Sequence, residues 1–396
     1  MRLGILVSHP IQYYSPWFRA LAQRLDLEVF YAYKGSPGQQ ADAGFGVPFE
    51  WDIDLLSGYS HSFLHNVSRK PGTNSYDGCD TPEIGGIIQA LGFDAFIVCG
   101  WYLKSYWQAV RACRRNDVPV FARGDSQLNT ERSLLKRAVK QVTHRKSLRH
   151  FDGFLSVGRR NREYLLHYGV PADRIFFVPH FVDNEWFAAR AETERRGRQQ
   201  TREGWEATDS TFVVLFVGKF ISEKRPADLL EAVGLIAKDD TDIVAVFVGA
   251  GELEPELRRL ASRLAVRARF EGFHNQTELP RFYAGADCLV LPSGSETWGL
   301  VVNEGMACGL PAIVSDAVGC SPDLIEEGRT GFSFSVGDVK ALAHKLRLAV
   351  SLRNSGFDFA PFLDEKLRLY SIDAAVNGTL DAIEEIGRRF PRQHPH

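Results

Sequence analysis

Short apolar runs rich in β-branched and aromatic residues alternate with longer amphipathic segments along the whole chain. Near-continuous apolar strands separated by helices are typical of a parallel sheet that helices cover on both faces. The pattern occurs twice, so we expect an α/β protein with two doubly wound parallel-sheet domains in tandem. The predicted strands are Leu3–Ser8, Leu27–Tyr33, Ala95–Gly100, Val120–Gly124, Gly153–Gly158 and Ile175–Pro179, then Phe212–Lys219, Ile243–Gly249, Arg269–Phe273, Cys288–Pro292, Pro311–Ser315 and Gly331–Phe334.

The length of 396 residues also favours two domains, because one hydrophobic core rarely grows so large. We expect an N-terminal domain at 1–183, a C-terminal domain at 184–365, and at 366–396 a helix that crosses back to the N-terminal domain, followed by a frayed tail. The charged stretch Ala189–Ser210 predicts a linker and then an exposed helix. Ligands of open parallel sheets bind beyond the carboxyl ends of the strands, so the cleft between the domains is the expected site.

Composition excludes several classes of protein. With 44% hydrophobic residues, 24% charged residues and a net charge of −2, the chain is typical of a soluble globular protein with no overall attraction to nucleic acid. Its six cysteines form no C-x-x-C pair, which indicates buried free thiols in a reducing compartment. The chain has no apolar stretch of membrane-spanning length and no signal-peptide cleavage site. We therefore expect a cytoplasmic protein.

One local run of charge departs from this balance. Positions 132–149 hold seven basic residues and no acidic residue. Interleaved apolar residues give the run the pattern of an amphipathic helix, which suits peripheral contact with the anionic inner face of a membrane. A polyanionic acceptor or a simple solvated helix face fits the same pattern.

The stretch GSETWGLVVNEGMACGLP places two glutamates eight residues apart after a predicted strand. Glu296 lies in the strand-to-helix loop and Glu304 lies within the helix. The amides of Thr297, Trp298, Gly299 and Leu300 would be unpaired at the helix start, where phosphates bind. Eight residues at helical rise span about 12 Å, comparable to a diphosphate with its neighbouring sugars. The alternative is a surface loop glutamate and a solvent-facing helical glutamate.

The stretch FVVLFVGKFISEKRP places two lysines after the first strand of the second half. Lys219 follows Gly218 at the end of the strand, and Lys224 stands five residues later, before the next helix. Two cations in such a loop would neutralise a diphosphate leaving group, although a solvated loop is the simpler explanation.

These motifs resemble those of the retaining nucleotide-sugar glycosyltransferases of the GT-B fold, glycosyltransferase family 4. The similarity runs from Phe212 to Phe334 and includes FVGKFISEKRP, VFVGAGELEPEL, FEGFHNQTELPRFYAGADCLVLPSGSETWGLVVNEGMACGLPAIVSD and LIEEGRTGFSF. It implies two Rossmann-like domains. It also implies that Glu296 binds the transferred sugar, Glu304 the ribose, the lysines the diphosphate, and the amides of Trp298–Leu300 a phosphate.

The same resemblance assigns Phe273 and His274 to the loop against the base, and it exposes two departures. The family usually has arginine where Lys219 stands, so the charge is kept but the bidentate fork is lost. It usually has glycine after the second cation, where this chain has Arg225, a further positive charge.

The first half matches the family less well. No glycine-rich turn follows its first strand; His9, Gln12 and Tyr13 occupy that loop and offer hydrogen bonds instead. His9 is either a catalytic residue or a structural one.

Two further strand ends in the first half carry candidate residues for the acceptor or sugar. Trp101 and Tyr102 follow Gly100, and Arg123 and Asp125 end the next strand. Asp125 would be either an acceptor-side base or a helix N-cap.

The sequence thus predicts a metal-independent, retaining hexosyltransferase that uses a nucleotide diphosphate sugar as co-substrate and no other cofactor. The Asp-Ile-Asp at Asp52–Asp54 lacks flanking metal ligands. The acceptor would be a glycan, a lipid-linked molecule or a small molecule, as in bacterial polysaccharide, glycolipid or natural-product synthesis. A nucleotide-sugar 2-epimerase, a phosphorylase of the same fold and a non-catalytic nucleotide-sugar-binding protein remain alternatives.

Overall fold

A computed structural model describes residues 1–35, 50–128, 134–239 and 241–389, with the side chains of 134–140 also outside the description. The chain separates into two compact units. The first unit contains residues 1–35, 54–128, 134–180 and 371–389 among those described, and the second contains 50–53, 181–239 and 241–370. Among the described residues, the chain passes between the units at 53–54, at 180–181 and at 370–371.

The first unit is built on a seven-stranded parallel sheet in the order β3-β2-β1-β4-β5-β6-β7. The central strands β1, β4 and β5 are almost wholly buried, because helices cover both faces of the sheet. The strands are β1 (Arg2–Val7), β2 (Asp26–Tyr31), β3 (Ser60–Phe63), β4 (Ala95–Val98), β5 (Val120–Gly124), β6 (Gly153–Ser156) and β7 (Ile175–Phe177). The helices are Tyr14–Ala22, Ile84–Leu91, Lys104–Arg115, Leu134–Leu148, Arg159–His167 and Ile372–Arg389.

The second unit is built on a six-stranded parallel sheet in the order β10-β9-β8-β11-β12-β13. Strands β8, β9 and β11 are apolar at every position and wholly buried. The strands are β8 (Phe212–Val217), β9 (Ile243–Val248), β10 (Ala268–Gly272), β11 (Cys288–Leu291), β12 (Ala312–Ser315) and β13 (Gly331–Phe334). The helices are Asn184–Arg195, Arg198–Gly204, Pro226–Ile236, Glu254–Leu264, Leu279–Gly285, Leu300–Ala307, Ser321–Leu324, Val339–Asn354 and Ala360–Leu369.

The predicted fold class is confirmed: the protein is α/β with two Rossmann-like parallel sheets. Every predicted apolar run contains a strand, and most strands end one or two residues before the run does. Strand β3 was not predicted. Its sequence SHSF is short and polar, and it lies at the sheet edge, where half of its side chains meet solvent.

The prediction of a linker at Ala189–Ser210 is wrong. Two helices occupy most of this stretch, and Arg202 and Trp205 are fully buried. The guanidinium of Arg202 donates to the carbonyl oxygens of Thr208, Thr211 and Gly285 and pairs with the carboxylate of Asp287. A charged residue can therefore be part of the core here, because each of its donors meets an acceptor.

The helix Ile372–Arg389 groups with the first unit, where it packs against the helix Tyr14–Ala22 and strand β7. Gly378 permits this close approach, since a Cβ there would overlap the carbonyl oxygen of Phe177. The helix Ala360–Leu369 groups with the second unit instead. In the described part of the chain, no helix combines the length and the apolar character needed to span a membrane.

Candidate nucleotide-sugar site

The order of strands in the second unit reverses direction between β8 and β11. Strands β9 and β10 extend the sheet to one side of β8, whereas β12 and β13 extend it to the other side of β11. The loops that leave β8 and β11 therefore diverge and leave a crevice at the carboxyl ends of these two strands, where ligands of doubly wound sheets bind. The lysine motif follows β8 and the glutamate motif follows β11, so the topology brings the two motifs together.

Two glycines after β9 hold the lysine loop in place. The backbone of Gly249 lies so close to Gly218 that a Cβ would overlap the Gly218 carbonyl oxygen, and a Cβ on Gly251 would be 2.5 Å from the oxygen of Phe220. The amides of Gly218 and Phe220 donate to the carbonyl oxygens of Val248 and Ala250, both at 2.9 Å. Lys219 thus projects from a backbone that is fixed on both sides.

The ammonium of Lys224 forms an ion pair with the carboxylate of Glu296, which joins the two loops. Both side chains are largely shielded, with about a fifth of each exposed. Lys219 lies nearby: burial and the charge of Lys224 lower its pKa, and Glu296 opposes them. Two ammonium groups therefore face one carboxylate, and this part of the crevice favours an anionic ligand.

The loop that carries Glu296 is anchored on the turn after β12. The amide of Gly319 donates to the Glu296 carbonyl oxygen at 3.0 Å, and the amide of Cys320 donates to that of Trp298 at 2.9 Å. Gly319 has no room for a side chain, because a Cβ would overlap the Thr297 carbonyl oxygen. The loop is therefore held by backbone contacts that require glycine.

Gly299 adopts φ +99°, and the helix Leu300–Ala307 starts immediately after it. Glycine adopts this positive φ readily, and the N–H groups at such a helix start are available to an anion. Trp298 is buried rather than exposed, and its indole N–H donates to Asn303 Oδ1 at 2.8 Å. The Trp298 side chain therefore braces the helix, and the prediction that the amides of Trp298–Leu300 bind a phosphate concerns only its backbone.

Glu304 lies one turn into this helix, in a mostly apolar environment. The Tyr283 hydroxyl donates to Glu304 Oε2 at 2.7 Å. Burial raises the pKa of Glu304 to about 7, and the hydrogen bond from Tyr283 lowers it. The alternative of a solvent-facing glutamate is wrong, because the residue is only partly exposed and Tyr283 is fully buried.

Arg225 adds less positive charge to the site than the sequence suggested. Its guanidinium forms two hydrogen bonds with the Asp228 carboxylate, at 2.8 and 3.1 Å. Its backbone adopts the left-handed conformation, with φ +50°, which glycine tolerates best. The side chain is thus tied to the next helix, and the backbone keeps the geometry expected for glycine.

The loop after β10 contains Phe273 and His274, the predicted base contacts. His274 is held by its own segment: Nε2 lies 3.2 Å from the Glu271 carbonyl oxygen, Nδ1 lies 3.1 Å from a carboxylate oxygen of Glu278, and the ring packs on Phe282. These contacts hold the His274 side chain within its own segment, and the contact with the base stays a prediction.

In the first unit the strand order reverses between β1 and β4, and the loops after these strands carry His9, Gln12 and Tyr13, and Trp101 and Tyr102. His9 Nδ1 lies 2.9 Å from the Ser8 hydroxyl, and burial lowers the pKa of His9, so its ring is neutral at pH 7.

Tyr102 is 50% exposed at this end of the sheet, whereas the Trp101 ring packs against other residues of the first unit. The ring of Trp101 stacks on Tyr164 at 6.1 Å and packs against Gly124. Burial and then the charge of Asp125 raise the pKa of Tyr13.

Arg123 requires a correction. We expected it on the acceptor side, but it is fully buried, and its guanidinium donates to the carbonyl oxygens of Val178 and Pro179 at 2.6 and 2.8 Å. It also packs against the ring of Trp17 at 5.0 Å. Arg123 therefore fixes the backbone just before the chain leaves the first unit.

Several residues that shape the site were not singled out from the sequence. Gly249 and Gly251 belong to the motif VFVGAGELEPEL. Two glycines directly after an apolar strand indicate a tight turn, and this pattern could have identified them. Gly319 and Tyr283 gave no local signal, because their partners are distant in sequence. In the part of the chain that the structure describes, no group of three or more His, Cys, Asp or Glu residues is placed to hold a metal ion.

Fold and site together define a protein of two Rossmann-like units. The second unit has a cationic crevice at its switch point, the place between β8 and β11 where the strand order reverses. Comparison with known proteins shows that residues 197–360 match the glycosyl transferases group 1. This match confirms the resemblance expected from the motifs.

Individual relatives agree with the family match. A D-inositol 3-phosphate glycosyltransferase of Thermomonospora curvata is 34% identical over 181 residues, 43% of this chain and 42% of the relative. The sulfoquinovosyl transferase SQD2 of Arabidopsis thaliana is 38% identical over 138 residues, 34% of this chain and 26% of the relative. The similarity thus spans less than half of each relative.

Among solved structures, Anabaena Alr3699/HepE in complex with UDP superposes with a TM-score of 0.72 at 16% sequence identity. The superposition covers 97% of this chain and 100% of the Anabaena chain. At this identity the match shows the fold alone, and that fold is GT-B.

Proposed function

We propose that the protein is a retaining glycosyltransferase that moves a hexose-type sugar from a nucleotide diphosphate sugar to an acceptor hydroxyl. The observation that carries the proposal is the crevice at β8 and β11, where the loop after β8 places Lys219 and Lys224 beside the Glu296 carboxylate of the loop after β11. Two ammonium groups in one crevice attract a diphosphate. The family match over 197–360 and the UDP bound to the Anabaena neighbour support a nucleotide-sugar as the ligand.

The donor would extend along the helix that begins at Leu300. Its diphosphate would meet Lys219, Lys224 and the first amides of the helix, all of which favour negative charge. Its ribose hydroxyls would donate to Glu304, and the hydroxyls of the transferred sugar would donate to Glu296. The ion pair of Glu296 with Lys224 would fix the carboxylate while the lysine contacts phosphate.

In the reaction, the bond between the anomeric carbon and the diphosphate oxygen breaks, and a bond from the acceptor oxygen to the same face of that carbon forms. The acceptor proton passes to the departing phosphate oxygen, so atoms and charge balance. Negative charge grows on the diphosphate in the transition state, where the lysines and amides stabilise it more than in the ground state. We propose this same-face route, without a metal, because Glu296 is paired with Lys224 and is placed to accept hydrogen bonds.

Acceptor binding would involve the first unit. His9, Gln12, Tyr13, Tyr102 and Asp125 follow the carboxyl ends of its strands and remain our candidates for it. The acceptor class stays open between a glycan, a lipid-linked molecule and a small molecule. Peripheral membrane contact through 132–149 also stays a proposal, since residues 132–133 and the side chains of 134–140 lie outside the described residues.

A thermal-shift screen tests the donor assignment. Uridine, guanosine and adenosine diphosphates and their hexose conjugates are added separately, and a ligand that binds only the folded state raises the melting temperature. We expect at least one nucleotide series to do so in the wild type, with a smaller shift at the same ligand concentration in Lys219→Met. No stabilisation by any member of the panel would refute the donor site.

Transfer is then tested with the stabilising sugar nucleotide and a panel of hydroxyl acceptors, in buffer with EDTA. NMR of the product reports the configuration at the anomeric carbon, and retention is the expected result. An inverted product, or activity that requires added divalent metal, would overturn the corresponding part of the proposal.

A further inference from the structure

The hydrogen bond between Tyr283 and Glu304 has no part in the proposed function so far. Tyr283 lies on the helix Leu279–Gly285 and Glu304 on the helix Leu300–Ala307, so the bond joins two helices of the second unit. The ring of Tyr283 is 1% exposed and packs against Phe187, with ring centroids 6.4 Å apart. Gly305 borders it on another side, where an added Cβ would come within 3.8 Å of the ring. The hydroxyl is therefore held in one position by packing.

We propose that Tyr283 is a positioning residue for the nucleotide, an inference that rests on the proposed function. Its hydroxyl holds Oε2 of Glu304, so that the other oxygen of the carboxylate is oriented to accept hydrogen bonds from ribose hydroxyls. The same bond favours the ionised form of the carboxylate, which is the stronger acceptor.

The electrostatic setting explains why the site needs this hydroxyl. Burial raises the pKa of Glu304 to about 7, and the Tyr283 hydroxyl is the group that acts against burial. The Cys308 thiol, on the same helix, has its pKa raised by burial and then by Glu304. Arg195, from the helix Asn184–Arg195, donates to the Cys308 carbonyl oxygen at 2.8 Å. Near pH 7 a small loss of stabilisation therefore changes the ionised fraction of Glu304 considerably.

The test is the affinity of Tyr283→Phe for uridine, guanosine and adenosine diphosphates, measured by titration calorimetry at pH 6.5 and at pH 9. If losing the hydroxyl moves the titration of Glu304 upward by about one pH unit, the ionised fraction falls about eightfold at pH 6.5 and by only about a tenth at pH 9. We therefore expect a loss of affinity of about eightfold at pH 6.5 that shrinks below about twofold at pH 9.

Two controls separate positioning from a structural effect. The buried Tyr370 hydroxyl donates to Asp323 Oδ1 at 2.7 Å in the same unit, so Tyr370→Phe removes a matched bond that does not involve Glu304. This control should change affinity equally at both pH values. A 2′,3′-dideoxynucleoside diphosphate lacks the ribose hydroxyls, so its affinity should be the same for wild type and Tyr283→Phe.

The outcomes distinguish this inference from the proposed function. If the wild type binds none of the nucleoside diphosphates, the proposed donor site fails, and the inference fails with it. If the wild type binds but Tyr283→Phe loses the same factor at both pH values, or loses nothing, the inference alone is overturned.

A measurement on the wild type covers the case in which Tyr283→Phe does not fold. The preference of the wild type for a ribose over a dideoxyribose nucleotide should fall as the pH drops below 7. A preference that is constant from pH 6 to pH 9 would overturn the inference.

Discussion

Replacing Glu304 by glutamine should stabilise the ligand-free protein at alkaline pH and have little effect at acid pH. Burial raises the pKa of Glu304 from its usual 4.5 to about 7 in the folded protein. A carboxyl whose pKa is raised by folding contributes stability that is fully present below pH 4.5 and is lost as the pH rises through 7. Glutamine is neutral throughout and still accepts the Tyr283 hydrogen bond, so the variant avoids this loss.

The size of the effect follows from the two pKa values. At 1.36 kcal/mol per pH unit, linkage gives a free-energy advantage of the variant of about 0.8 kcal/mol at pH 5 and at most about 3.3 kcal/mol at pH 8. Urea unfolding of both proteins at pH 5, 6, 7 and 8, followed by tryptophan fluorescence and by far-UV circular dichroism, measures the difference. An advantage that does not grow between pH 5 and pH 8 would refute the reasoning.

The variant Glu327→Gln is a control for which we expect the opposite dependence of stability on pH. Burial raises its pKa, but the hydrogen bonds from Lys345 and Ser333 outweigh burial, so the pKa of Glu327 is lowered overall. Its contribution to stability is therefore present above its usual pKa and lost as the pH falls. Glu327→Gln should destabilise the protein at pH 8 and approach the wild type in acid, the reverse of Glu304→Gln.

Three further variants test other parts of the site. Lys219→Met should raise the melting temperature of the free protein slightly, because burial and the neighbouring Lys224 ammonium disfavour the charge of Lys219. The same variant should bind nucleoside diphosphates about 10- to 100-fold more weakly in calorimetry, which is the loss expected for one charge-assisted hydrogen bond. Gly319→Ala should destabilise the second unit in urea unfolding by about 1–3 kcal/mol, because its Cβ would overlap the Thr297 carbonyl oxygen. Gly204→Ala is the control in the same unit and should cost less, because nothing lies within 4 Å of the added Cβ and the backbone there is not left-handed. Arg225→Gly relieves the strain of a left-handed backbone but removes the ion pair with Asp228. The free energy of unfolding in urea should therefore change by less than about 1 kcal/mol at low salt and increase at high salt, where the ion pair is screened. A large decrease at every salt concentration would contradict this balance.

The sequence predicted the sheets and the donor motifs because both depend on local signals. Short apolar runs rich in β-branched and aromatic residues, such as Phe212–Val217, favour buried strands, and glycines after strands mark sharp turns. The strand Ser60–Phe63 was missed because its polar residues carry no such signal at a sheet edge.

Charged residues were the main source of error, because their role depends on partners far away in the chain. Arg202 and Arg123 looked like surface or ligand-binding residues, yet carbonyl oxygens up to 83 residues away in sequence surround their guanidinium groups. Arginine can be buried in this way because its planar fork offers five donors that backbone oxygens can satisfy. Tyr283 was missed for the same reason: its partner Glu304 is 21 residues away, on another helix.

The switch points of the two units differ in charge. This difference supports the proposal that the second unit binds the donor and the first unit binds the acceptor. The crevice at β8 and β11 presents two ammonium groups, which suit a diphosphate, whereas the loops after β1 and β4 present the neutral His9 ring and the Tyr102 hydroxyl. Arg123, the cation that the sequence predicted at the end of β5, donates instead to carbonyl oxygens of the first unit. Neutral donors and acceptors beside an exposed aromatic ring favour hydroxyl-bearing molecules over phosphates. We therefore expect His9→Ala to lower the rate of transfer while leaving nucleoside diphosphate affinity within about twofold of the wild type, since only the first unit's switch point is altered. Loss of nucleotide affinity in His9→Ala would contradict this division.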